Sequence, residues 1–212
     1  MKRGLRIITI ACVLLAGGAA GCGGGKVQGG TDAQATARLR GLLTKEPRLP
    51  DGFSTRPDQA WRMPFKPHDR NCRTVLQAAG GGAPKRALTA QAAASYQGDG
   101  LGEQAAVGLA QYAGSEAADH IDDLSRALDA CRTVRAGDGT DLTLRELPMK
   151  DVGDETVAAE LRGRLNGYPY ALDVVLARSG DMLVSIVHTG LSTVDSHRTR
   201  QLLNSVIGMA SA

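Results

Sequence analysis

Aromatic side chains are scarce: one Trp, four Tyr and two Phe make up 3% of the 212 residues. Platforms that bind sugars or nucleobases draw on several stacked rings, so that class of site is excluded. Net charge is slight as well. The formal +3 arises from Lys2, Arg3 and Arg6 in a stretch, 1–21, that contains no acid; without those three, 22 of the 25 bases remain against 22 acids. Bulk attraction for a polyanion is therefore missing, and nucleic acid is not expected as a partner. With 42% hydrophobic and 22% charged residues the chain is neither disordered nor fibrous, and its length suits one ordinary domain. The long apolar run of a membrane span is absent too: Ile7 to Ala16, broken only by Thr9, stops well short of the roughly 20 residues needed.

What that N-terminal stretch does have is the order of a secretory signal. Three basic residues precede the apolar run, and Gly17-Gly18-Ala19-Ala20-Gly21-Cys22 follows it. The small residues before Cys22 resemble a bacterial lipobox, with Ala19 where Leu is usual. Residues 1–21 are thus expected to be a lipoprotein signal peptide and Cys22 the site of lipid attachment; ordinary cleavage near Ala20 is the alternative. Residues 22–31, rich in glycine, form a flexible tether that would hold the following domain near the outer face of the membrane. The expected location is the extracytoplasmic face of the cell membrane, anchored by lipid.

Cysteine is sparse, four in all. Cys12 lies in the apolar run and would leave with the signal, and Cys22 would be lipidated. Cys72 and Cys131 remain in an oxidising compartment and are expected to form one disulfide, with two buried thiols as the alternative. No C-x-x-C occurs, so neither a redox dithiol nor a zinc ribbon is supported.

Patterning along the rest of the chain predicts an α+β fold. Residues 32–48 read as a short helix, with Ala35, Leu39, Leu42 and Leu43 on one face, followed by a linker. Five prolines between Lys45 and Arg70 imply extended chain with a short strand near 54–62. A short helix over 71–79 ends at Gly80-Gly81-Gly82. Segments 89–97 and 103–112 alternate around a glycine-rich turn and read as a hairpin, although their alanines would also suit helices. Ser115 caps a helix whose stripe Ala117, Ile121, Leu124, Leu128, Cys131 puts Cys131 on the buried side. Four strands follow, 141–147, 156–165, 168–177 and 182–189, with Leu172, Val174 and Leu176 expected to share a core with Val184 and Ile186. A final helix is expected to start at a Ser192/Asp195 capping pair. The expectation is a mostly antiparallel sheet with the two main helices on one face.

Catalytic and metal signatures are absent from the sequence. The four histidines lack H-x-x-x-H spacing, and the helix group Asp119-His120, Asp122, Asp123 reads as a solvated face. Ser196 and His197 are neighbours about 100° apart on a helix, which is not nucleophile–base geometry. Neither G-x-S-x-G nor a P-loop occurs. His188 in a strand is expected to be a satisfied histidine, with a buried switch as the alternative. Trp61 beside Arg62 reads as a domain-edge anchor, Asp154-Glu155 as a solvated corner, and Arg198 with Arg200 as the outer face of the last helix. No catalytic residue, cofactor or metal is expected.

Leu49-Pro50-Asp51-Gly52-Phe53, the pair Cys72 and Cys131 with the second at a helix end, Val152-Gly153-Asp154-Glu155-Thr156 before a strand, the last hairpin and the final helix occur in an order that resembles the PknH-type extracellular sensor domain. That domain is found outside actinobacterial Ser/Thr kinases and in actinobacterial lipoproteins; the likeness covers roughly 49–210, and the domain is taken as 49–212. The kinase-type domain carries two disulfides where this chain has cysteines for one, and no kinase domain follows here. The resemblance implies an antiparallel sheet, two helices against it and a ligand-sensing cleft. The expected function is a non-catalytic, sensor-like binding domain of the cell envelope, for a small ligand or an envelope protein; a structural accessory acting by protein contact is the alternative.

Overall fold

The computed structural model describes residues 31–45, 47–137, 139–149 and 152–211. The expected signal, Cys22, nearly all of the tether and Asp138 of the turn at 137–139 lie outside these residues. In chain order the elements are α1 (Ala33–Thr44), α2 (Arg70–Ala79), β1 (Leu88–Gln97), β2 (Gln104–Tyr112), α3 (Glu116–Ala130), β3 (Thr133–Ala136), β4 (Thr140–Glu146), β5 (Glu155–Leu165), β6 (Tyr168–Ser179), β7 (Met182–Gly190) and α4 (Ser196–Ala210). The strands make one antiparallel sheet in the order β1-β2-β7-β6-β5-β4-β3. A hairpin (β1–β2) and a five-strand meander (β3–β7) thus join edge to edge through β2 and β7, and the α+β expectation holds.

The four helices of the described residues divide two and two across the sheet. On one face α2 and α3 cover Ala106, Leu161, Leu172, Val174, Leu176 and Val187. On the other, α1 and α4 cover Ala105, Val107, Val175, Ala177, Val184 and Ile186. The two long helices, α3 and α4, therefore lie on opposite faces, which corrects the expectation that they share one. The same register corrects the core assignment of the last hairpin: Val174 faces Val187 and Val175 faces Ile186, so Leu172, Val174 and Leu176 belong to one core and Val184 and Ile186 to the other. Sequence alternation could not show this, because all nine residues of β7 are buried and a strand covered on both sides loses its polar face.

Local chemistry accounts for the element ends. Asp32 caps α1 by accepting from the Gln34 and Ala35 amides, and Asp69 caps α2 through the Cys72 amide. Asp195, rather than Ser192, caps α4, its carboxylate accepting from His197 N. Helix α1, read from sequence as preceding the domain, is seated in the second core by buried Leu39 and Leu43. Its C-terminal end is pinned where the Tyr96 hydroxyl donates to the Leu43 carbonyl at 2.7 Å, and burial pushes that phenol up to about 12. The strand expected near 54–62 is reduced to two isolated bridges, Phe53 with Gly98 and Asp58 with Ser95, on the outer edge of β1. Pro57, between the two bridges, lacks a donor that a continuous ladder would need. The four-residue β3 was missed because it is too short to show a period. Where α2 ends, Gly81 passes so close to β2 that a Cβ on Gly108 would sit 2.8 Å from Gly81 Cα.

Cys72 and Cys131 are joined, tying the first turn of α2 to the C-cap of α3 across a sequence separation of 59. Closing a loop of that length removes unfolded-state entropy equivalent to about 4 kcal/mol in the chain-entropy model. The Cys72→Ala/Cys131→Ala variant should lose stability of that order in urea unfolding; an unchanged midpoint would show that the disulfide does not restrain the unfolded chain.

Candidate functional site

Three connections converge at one end of the sheet: the β1–β2 turn, the β7–α4 loop and the Leu49–Phe53 segment. The cleft between the first two has a volume of about 360 Å³. Leu101 and Leu191 stand at its rim, 83% and 44% exposed. Glu103, His188, Asp195 and Arg198 also line it.

The polar part of this lining is built by sheet register. Asp173 of β6 and His188 of β7 are paired directly opposite each other, on the face covered by α4. The first turn of α4 places Thr199 over both. Thr199 Oγ1 lies 2.7 Å from Asp173 Oδ2 and 2.9 Å from His188 Nδ1. The other ring nitrogen, Nε2, is 2.9 Å from Glu103 Oε1, just before β2. Glu103 in turn accepts from Gly100 N at 2.8 Å and from Arg198 Nη1 at 3.1 Å. Arg198 also donates to Asp99 at 2.8 Å and to the Asp51 carbonyl at 2.9 Å. A continuous polar chain thus runs from the middle of the sheet to the cleft.

The Leu49–Phe53 segment closes this end. The Arg198 guanidinium lies 4.4 Å from the Phe53 ring centroid, and the same ring meets His188 edge-on at 5.5 Å. Gly52 has φ +88°, and a Cβ there would fall on Arg198 Nη2 and 2.6 Å from Asp99 Oδ2. Both the backbone conformation and the close approach require glycine.

Burial dominates the electrostatics of the inner groups. It pushes the Asp173 carboxyl up to about 6, against the Thr199 hydrogen bond, which favours the ionised form. It also lowers the His188 imidazole, opposed by Glu103. At the exposed end, the hydrogen bond and charge of Arg198 hold the Asp99 carboxyl below its ordinary value.

Thr199, His188 and Glu103 occur in the order of a nucleophile, base and acid, but Thr199 is 0% exposed and its hydroxyl also meets the Asp195 carbonyl at 3.2 Å. A nucleophile must touch its substrate, and this hydroxyl is sealed beneath α4. The arrangement fixes the floor of a cleft instead of presenting a reacting atom.

Of the residues singled out in sequence, His188 and Arg198 come together here with the Leu49–Phe53 motif. Arg198 was expected on the outer face of α4; it turns inward, which corrects that reading. His120 does not join Asp122 and Asp123: it is buried, with Nε2 2.9 Å from the Arg86 carbonyl and its ring 4.6 Å from that of Tyr112. Among the described residues no three His, Cys, Asp or Glu side chains are grouped to hold a metal. Trp61 packs half-buried on the first core, and His197 is exposed. Asp154 accepts from Arg178 at 2.9 Å and Gly180 N at 2.7 Å, tying the entry to β5 to the last hairpin turn. The disulfide belongs to the core on the opposite face of the sheet, and Cys22 lies outside the described residues. Glu103, Asp173 and Thr199 were missed. Asp173 did carry a signal, as a lone acid inside the apolar run Ala171–Ala177.

No family model and no curated protein matches this chain. Among solved structures it is similar to the extracellular domain of PknH from Mycobacterium tuberculosis, with a TM-score of 0.54 at 10% identity over 85% of this chain and 92% of that one. It also aligns with a protein from Mycobacterium smegmatis described as an Rv0999 ortholog, with a TM-score of 0.42 at 17% identity over 74% and 81% of the two chains. The PknH likeness shows a shared fold, as the sequence resemblance implied.

Gly52→Ala should lower stability by roughly 1–3 kcal/mol, because it combines an unfavourable backbone angle with displacement of Arg198. Thermal unfolding measures this; a melting temperature equal to wild type would show that the segment does not brace the cleft.

Proposed function

We propose that this protein is a lipid-anchored, non-catalytic binding domain on the extracytoplasmic face of the cell membrane, and that the cleft at the β1–β2 turn is its binding site. The observation that carries the reading is the cleft itself: a rim of two uncovered leucines above a polar floor fixed by buried hydrogen bonds. Such a combination suits a small ligand with both apolar and polar parts. The signal and lipobox pattern ahead of Cys22 supports export and anchoring, and the fold shared with a kinase extracellular domain accords with that location.

The placement of the cleft supports a ligand on the wall side. The chain enters the domain where Asp32 N donates to the Thr89 carbonyl, at the start of β1. The cleft lies beyond the other end of that strand, about 30 Å away for ten residues of extended chain. An anchor at Cys22 would leave the site facing away from its attachment point. The exposure of Leu101 also favours a second reading, in which the rim contacts an envelope protein.

Thermal shift of the protein against muropeptides and phospholipids tests the first reading. A ligand at about 100 times its Kd should stabilise by about 2.7 kcal/mol, and a Leu101→Asp/Leu191→Asp variant should lose that shift. A shift that survives in the variant places the site elsewhere, and silence across the panel favours protein contact. Cys22→Ala should move the protein from the membrane to the soluble fraction; retention in the membrane would refute the lipid anchor.

A further inference from the structure

We infer that Asp173, Thr199, His188 and Glu103 form a proton-operated latch beneath the cleft, closed when the chain holds one extra proton and opened at the His188–Glu103 link when that proton leaves. Its bearing on binding rests on the cleft being the binding site; the latch itself does not.

The chain has three links, Asp173 to Thr199 at 2.7 Å, Thr199 to His188 at 2.9 Å and His188 to Glu103 at 2.9 Å. Each link needs one hydrogen. With both carboxylates ionised and the imidazole neutral, the Thr hydroxyl and one ring N–H supply only two. A third must be held for the chain to close.

The surroundings decide where it sits. Glu103 faces two donors, Gly100 N and Arg198 Nη1, and is the acceptor end. Asp173 is 2% exposed, and among the described residues its hydrogen-bond partner is Thr199. On Asp173, burial raises the affinity for a proton, Thr199 lowers it, Glu160 of β5 raises it, Arg162 of β5 lowers it and Asp195 at the α4 cap raises it. On His188, burial and Arg198 disfavour the cation, while Glu103 and Asp195 favour it. The third proton therefore belongs to Asp173. In the closed state Asp173 donates to Thr199, Thr199 to His188 Nδ1, and His188 Nε2–H to Glu103.

When Asp173 loses its proton, its carboxylate, 2% exposed, still has Thr199 as its partner. The Thr199 hydroxyl then donates back to it, and the imidazole takes the Nδ1–H form to donate to Thr199. Nε2 is left with a lone pair facing Glu103, and this link opens because Glu103 is the member at the cleft, where water can enter. The two inner hydrogen bonds reverse direction and the outer one is lost, so the change surfaces in the lining of the cleft.

Ring nitrogen NMR of the intact protein labelled with 15N-histidine tests this between pH 5 and 8. His188 should be the Nε2–H tautomer at pH 5 and pass to Nδ1–H with one midpoint near 6, where Asp173 releases its proton. Asp173→Asn, whose amide donates to Thr199 at every pH, should remain Nε2–H throughout. A wild-type ring that keeps one tautomer across the range, or becomes an imidazolium at pH 5, would overturn the latch, as would a folded Asp173→Asn protein that titrates like wild type. If that variant does not fold, the wild-type titration alone decides. The readout needs no ligand, so failure to find one leaves this test standing.

Discussion

Strand β7 along its whole length, and β6 from Ala171 to Ala177, are buried on both faces. A strand in that position has no solvent side, so a polar side chain must find its partners inside the protein or cost several kcal/mol. Asp173 and His188 sit opposite each other in those two strands and meet the requirement together, through Thr199 of α4. Their chain has to end somewhere water is available, and it ends at Glu103 in the cleft.

The same chain explains why three distant segments meet at this end of the sheet. Arg198, one residue before Thr199, reaches Glu103 and Asp99 of the β1–β2 turn and the Asp51 carbonyl. Phe53 packs between Arg198 and His188. The turn, the helix and the Leu49–Phe53 segment are therefore one electrostatic and packing unit. The disulfide stabilises the other face, where α2 meets α3, and is independent of this unit. The domain has a covalently restrained side and a side restrained by buried polar contacts, and the cleft belongs to the second.

Much of this architecture was legible in the sequence, and the missing parts have a common cause. Periodicity located α3, α4 and the hairpins, and cysteine arithmetic paired Cys72 with Cys131. What periodicity cannot supply is the face an element covers when the sheet is apolar on both sides. A shift of one residue in register exchanges the faces, and the Val174–Val187 pairing settles what Val184 and Ile186 alone left open. The site shows the same boundary. The Leu49–Phe53 motif stood out in sequence, but nothing local shows that Phe53 would meet a histidine 135 residues later. Arg198 looked like half of a surface basic pair because its acidic partners lie 95 and 99 residues away.

The central claim is that the polar chain acts as one unit although its ends share no direct contact. A double-mutant cycle on unfolding free energy with Asp173→Asn and Glu103→Gln measures this most directly. Residues with no shared partners add within about 0.5 kcal/mol, whereas members of one network couple by about 0.5–3 kcal/mol. The account predicts coupling in the second range, transmitted through Thr199 and His188. Strict additivity would contradict it and would leave two unrelated buried contacts beside a cleft.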